Sequence, residues 1–269
     1  VIQLLKMQSK VIGEGKPIVL VPGGLTGWVS WEPHEKQLLV SRKVVRVQLL
    51  NVEYGFEDRP LPQDYSVKTE SRALAVALDD LSLKSPVDLA AWSYGALITL
   101  DFALDYPERV RTLALIEPPA IWVLRARGLL DSETRETMTT FETLRGDISE
   151  EKLEQFLCSV GFCPPGQSPR TLPQWPHWMQ YRQALRNSPA LLAQEDDLAR
   201  IQTFEKPVLL VKGTGSAKFL HQIVDVLAEL LPNAQVAEMP GGHSPQIASM
   251  DQFLERLAVF QGETESKVA

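Results

Sequence analysis

Short apolar runs alternate along this chain with longer stretches in which apolar residues return every three or four positions, the pattern of a mostly parallel sheet with helices on both faces. The runs Ile18 to Val21, Val44 to Leu50, Val87 to Trp92, Leu113 to Ile116, Pro207 to Val211 and Ala234 to Met239 predict strands. Ser66 to Leu83 predicts a helix whose apolar stripe is Ala73, Ala75, Leu78 and Leu81. Further helices are expected at Ala96 to Leu104, Ala217 to Leu231 and Asp251 to Phe260. The first of these strands ends in Pro22-Gly23-Gly24, and the second leads at Asn51 into an expected loop around Gly55. The expected fold class is α/β.

The alternation stops between Pro119 and Arg200. This stretch is helix-like, rich in Trp and Leu, and broken by Pro164, Pro165, Pro169, Pro173 and Pro176. It predicts a helical cap, residues 119–200, inserted into a core formed by 1–118 and 201–269. An insertion after the strand Leu113 to Ile116 lies above the carboxyl ends of the strands, where open α/β sheets bind ligands. Trp122, Trp175 and Trp178 are candidates to face a substrate there, with packing inside the cap as the alternative.

Composition narrows the partners. With 269 residues, 44% of them apolar, the chain can bury a large core. A formal charge of −7 argues against a nucleic acid or an anionic membrane as partner, since both need basic patches. No apolar run approaches the ~20 residues of a membrane span, and Val1 to Lys10 lacks a signal-peptide layout, so a cytoplasmic location is expected. Cys158 and Cys163 have no His or Cys companions at ligand spacing; they read as free thiols, and no metal is expected.

The chemistry concentrates around Ala91-Trp92-Ser93-Tyr94-Gly95, which joins a predicted strand directly to a predicted helix. A serine on so sharp a turn needs small residues two before and two after it, and Ala91 and Gly95 are small. The amino end of the following helix favours the negative charge that develops when a carbonyl is attacked at Ser93 Oγ. A nucleophilic serine needs a base. Of the four histidines, His243 in Pro240-Gly241-Gly242-His243-Ser244-Pro245 follows the last strand and so falls on the same sheet edge as Ser93. His221 lies in a helical pattern, His34 near the first helix and His177 within the insertion. His243 is therefore the expected base.

The base needs a carboxylate to orient it. No Asp or Glu occurs between Lys206 and Val224, but Leu115-Ile116-Glu117-Pro118-Pro119 ends a strand in one, and Glu117 is the candidate acid. The amides of Tyr94 and Gly24 are candidates for an oxyanion hole. Trp28 and Trp31 follow the Gly-Gly turn and are candidates either for the acyl side of a pocket or for core packing.

The order of Ser93, acid and His243, the Gly-Gly turn, the insertion and the Pro-Gly-Gly-His ending resemble the α/β-hydrolase superfamily over nearly the whole chain. In most members the acid follows the seventh strand; in a minority it follows the sixth, and Glu117 matches that minority. Zearalenone-type lactonases belong to it and have a Val-Pro-x-Gly-Leu turn similar to Val21-Pro22-Gly23-Gly24-Leu25. Haloalkane dehalogenases of that minority use an aspartate nucleophile, which Ser93 excludes. The resemblance implies a serine hydrolase that cleaves an ester or lactone of an apolar small molecule through an acyl-enzyme, without cofactor. The same scaffold also carries carbon–carbon bond hydrolases, hydroxynitrile lyases, cofactor-free dioxygenases and receptor-like ligand binders.

Overall fold

The computed structural model describes residues 5–163 and 166–262; the chain ends and the pair Pro164 and Pro165 lie outside the described residues. Strands β1 (Gln8–Ile12), β2 (Lys16–Val21), β3 (Arg42–Gln48), β4 (Val87–Trp92), β5 (Val110–Ile116), β6 (Val208–Gly213) and β7 (Ala234–Met239) form one sheet in the order β1-β3-β2-β4-β5-β6-β7. Only β1 is antiparallel to its neighbour. It is also the strand that the apolar pattern does not predict. As a mostly exposed edge it buries no face, and so imprints no apolar run on the sequence.

Helices α1 (Glu32–Leu38), α2 (Leu50–Phe56), α3 (Val67–Asp80) and α4 (Tyr94–Asp105) connect the first five strands. The segment between β5 and β6 is helical throughout its regular parts, with α5 (Ile121–Ala126), α6 (Ser132–Glu142), α7 (Glu150–Ser159), α8 (Trp175–Tyr181), α9 (Ser188–Ala193) and α10 (Leu198–Gln202). Helices α11 (Lys218–Leu230), α12 (Pro245–Ala248) and α13 (Met250–Phe260) are the last three among the described residues. Among the described residues no helix is long and apolar enough to cross a membrane.

Both faces of the sheet are covered, which is why its central strands read as continuous apolar runs. Val19, Val21, Leu89, Ala91, Leu113 and Leu115 pack with α3, α4 and α11. Their alternates Ile18, Leu20, Ala90, Ala114 and Ile116 pack with Trp31 and with Phe253 and Leu257 of α13.

Residues 50–56 form a helix where a loop was expected. Its first two amides, Leu50 and Asn51, donate to the buried carboxylate of Glu70 at 2.9 and 2.8 Å, which satisfies donors that a helix start otherwise leaves open. Gly55 belongs to this helix because it abuts the backbone of Ala184; a Cβ would lie 2.5 Å from Ala184 Cα.

The chain leaves β2 for β3 on one side and returns to β4 on the other. The carboxyl ends of β2 and β4 therefore flank the topological switch point, where this class of sheet opens a ligand crevice.

Candidate active site

Three loops at this edge bring together the residues singled out in the sequence. Ser93, between β4 and α4, is held at φ +53°, and Glu117, just after β5, at φ +46°. Positive φ costs a non-glycine residue about 1–3 kcal/mol, so both turns are imposed by their surroundings. The surroundings are the sheet itself: the Ser93 amide donates to Ile116 O at 2.8 Å and the Glu117 amide to Val211 O at 3.0 Å. At Gly95 a Cβ would run into the Pro22 carbonyl, so the elbow needs glycine there for a close approach rather than for its dihedral angles.

His243 Nδ1 lies 2.6 Å from Glu117 Oε2, and His243 Nε2 lies 2.8 Å from Ser93 Oγ. An ionised carboxylate only accepts, so the imidazole proton belongs on Nδ1 and Nε2 is free to accept from the serine hydroxyl. Glu117 is fully buried and His243 nearly so. Two further donors hold the carboxylate: the Gly213 amide on Oε1 at 2.7 Å and Ser216 Oγ on Oε2 at 2.7 Å. The turn after β6 that lacks an acid thus supplies donors to one. The imidazole loop is fixed from above and below, by Trp92 Nε1 donating to His243 O at 2.7 Å and by the His243 amide donating to Gly161 O at 3.2 Å.

The other histidines lie elsewhere. His34 is buried against Trp31 and Phe253 and donates to Gln246 O at 2.8 Å; burial holds its pKa below the usual range. His221 donates to Gly213 O at 2.7 Å, and His177 is exposed beside Tyr181.

A narrow pocket opens onto Ser93 and His243, with Gly24 and Tyr94 in its wall. Neither the Gly24 nor the Tyr94 amide makes a hydrogen bond within the described residues. Both are therefore free for an oxygen of a bound molecule. The remaining wall is apolar, with Phe141, Phe156, Phe162 and Phe219 prominent, apart from Asn187 and Ser188.

The tryptophans proposed to face a substrate do not line this pocket. Trp28 is half-buried under the Lys10 ammonium at 4.3 Å, Trp122 is buried in the core, and Trp175 carries the Arg170 guanidinium at 5.6 Å. Trp178 stands one layer back, its ring 5.5 Å from that of Phe162. Trp31 belongs to the core on the opposite face of the sheet. The lining tryptophan is Trp92, which the strand pattern had placed in the sheet.

Sequence reasoning also missed a buried polar cluster beneath the pocket. Glu70 accepts from Tyr65 Oη at 2.7 Å, and Tyr65 Oη lies 3.1 Å from Tyr94 Oη. Burial pushes the Glu70 acid up to about 7 and both phenols above their usual value. Among the described residues no group of three or more His, Cys, Asp or Glu side chains is placed to hold a metal ion, and Cys158 and Cys163 are unbridged.

Comparison with known proteins gives a consistent picture. A stretch of 108 residues is 38% identical to 2-hydroxy-6-oxo-2,4-heptadienoate hydrolase of Pseudomonas putida, covering 39% of this chain and only 38% of that enzyme's length. Over 93% of this chain and 97% of the relative, identity to pimeloyl-[acyl-carrier protein] methyl ester esterase of Aeromonas salmonicida is 26%. Among solved structures, an esterase from Exiguobacterium antarcticum superposes with a TM-score of 0.77 at 19% identity, covering 95% of each chain. Residues 16–249 match the family described as alpha/beta hydrolase fold, and this chain belongs to that family.

Proposed function

We propose that this protein is a serine hydrolase that cleaves a carboxylic ester or lactone of an uncharged, largely apolar small molecule, with Ser93 as nucleophile, His243 as base and Glu117 as acid. The observation that carries the proposal is the unbroken run from Ser93 Oγ to His243 Nε2 at 2.8 Å and from His243 Nδ1 to Glu117 Oε2 at 2.6 Å. In this reading His243 takes the serine proton as Oγ attacks the carbonyl, and the Gly24 and Tyr94 amides hold the oxyanion. His243 then protonates the leaving alcohol and activates water to release the acid, while Glu117 stabilises the imidazolium. With a lactone the leaving alcohol stays tethered to the acyl group, the chemistry of the zearalenone-type lactonases that the chain resembles. Residues 119–200 serve as the cap: Phe141, Phe156, Val160 and Leu191 from this segment form one side of the pocket.

A carbon–carbon bond hydrolase using the same residues is the second reading, favoured by the identity to a dienoate hydrolase over part of the chain. The lining weighs against it, because no Lys or Arg is among the residues that face the pocket to meet a substrate carboxylate.

The test is the intact mass of the protein after exposure to a fluorophosphonate. A single adduct on the wild type, absent from Ser93→Ala, supports an activated serine and justifies screening neutral esters and lactones. No adduct on a folded wild type would overturn the proposal.

A further inference from the structure

Glu70 is a fully buried carboxylate whose hydrogen-bond partners, Leu50 N, Asn51 N and Tyr65 Oη, are all neutral donors. A carboxylate withdrawn from water without a cation works against folding, and a glutamine would fill nearly the same space without a charge. Two short chains of contacts run from it to the pocket. The first passes through Asn51, whose amide it holds and whose Nδ2 donates to Gly24 O at 2.7 Å and to Ala184 O at 3.0 Å. The second passes through Tyr65 Oη to Tyr94 Oη at 3.1 Å. Gly24 and Tyr94, which line the pocket beside Ser93, carry two unengaged amides. They also touch each other, since a Cβ at Gly24 would lie 3.0 Å from Tyr94 Cβ.

We infer that Glu70 is a positioning residue for the oxyanion hole, setting the Gly24 arm through Asn51 and the Tyr94 arm through Tyr65. The inference rests on the serine-hydrolase reading above. Three donors aimed at one carboxylate leave its neighbours little freedom, whereas an amide in its place must turn an N–H toward at least one of them. Oε1 accepts from both Asn51 N and Tyr65 Oη and Oε2 from Leu50 N, so the amide either releases both arms or keeps them and pushes away the Leu50 amide, which directly precedes Asn51 in the first turn of α2. A misplacement of this kind falls on the transition state, where the oxyanion exists, more than on the bound ground state.

The experiment, run at pH 8 where Glu70 is ionised, compares inhibition by an alkyl trifluoromethyl ketone, which adds to an activated serine as a hemiketal oxyanion, with inhibition by the matched methyl ketone. In the wild type the fluorinated ketone should bind tighter by roughly a hundredfold or more. Glu70→Gln should reduce that ratio about tenfold or more while the methyl ketone binds as before. A merely structural role would lower the folded fraction and leave the ratio of the two constants unchanged. Tyr65→Phe, which keeps the carboxylate and cuts only the Tyr94 arm, should reduce the ratio about threefold and decides the matter if Glu70→Gln does not fold. An unchanged ratio in the folded variant overturns the role of Glu70 alone. A wild-type ratio near one overturns the serine reading and this inference with it.

Discussion

Replacing Glu117 by glutamine exchanges one oxygen for an NH2 group in a site that offers three donors. Gly213 N–H is fixed and demands an acceptor at Oε1, so the amide oxygen must stay there and the NH2 must take the Oε2 position. Ser216 can rotate its hydroxyl to accept from that group, but His243 Nδ1 can do so only by giving up its proton. The imidazole is then left with its hydrogen on Nε2, 2.8 Å from Ser93 Oγ, where it has no lone pair to take the serine proton. Locking a triad histidine into the wrong tautomer costs on the order of 10⁴ in rate, about 5 kcal/mol of transition-state stabilisation. The assay is kcat/KM on a short-chain p-nitrophenyl ester for the wild type and Glu117→Gln, with a thermal melt to show that both are folded. A folded variant within tenfold of the wild type would refute the tautomer argument and remove Glu117 from the mechanism.

Ser216→Ala removes one of those donors without forcing a tautomer, so its kcat/KM should fall less than about tenfold in the same assay. Ser93→Gly and Ser93→Ala both delete the hydroxyl, but only glycine relieves φ +53°; calorimetry should find the glycine variant more stable by about 1 kcal/mol. Glu70 makes stability depend on pH. Its folded pKa of about 7 stands above the usual 4.5, so between those values the folded state holds a proton that the unfolded state has released. Stability from this group is present below pH 4.5 and lost as pH rises to 7, by about 3 kcal/mol. Urea melts at pH 5 and pH 8 should show that loss in the wild type relative to Glu70→Gln, and an equal difference at both values would count against it.

What the sequence discloses is what neighbouring residues decide. The elbow at Ser93 is legible because an apolar strand, a serine between small residues and an apolar helix follow one another without a gap. Glu117 stands out because a charge ends an apolar run, and His243 because glycines and a proline bracket it between a strand and a helix. The wall of the pocket is not legible in this way. Which aromatic side chains of residues 119–200 turn toward Ser93 depends on how short helices dock, and docking selects Phe141, Phe156 and Phe162 while leaving Trp122 in the core and Trp175 on the surface side. Tyr65 and Glu70 stand five residues apart around the start of α3, but their link to Tyr94 on α4 spans 24 or more positions and leaves no local trace. Helix α2 escaped notice for a related reason: its start is satisfied by a carboxylate about twenty residues away instead of by a side chain before it.

The contact between Gly161 and His243 bears on how such a protein can diversify. Gly161 O receives the His243 amide, the ring of Phe162 lies 5.3 Å from the imidazole, and a Cβ at Gly242 would run into the Gly161 carbonyl. In the proposed enzyme the segment 119–200 is therefore no interchangeable module clipped onto a finished catalyst. A graft that replaced it wholesale to admit a new substrate would also strip the histidine of its support, so selectivity and reactivity are inherited together. Redesign of the proposed enzyme has a fixed point at Gly161 and Phe162 and another at the fully buried Phe141, whereas the half-buried Phe156, which lines the pocket from α7, is open to exchange.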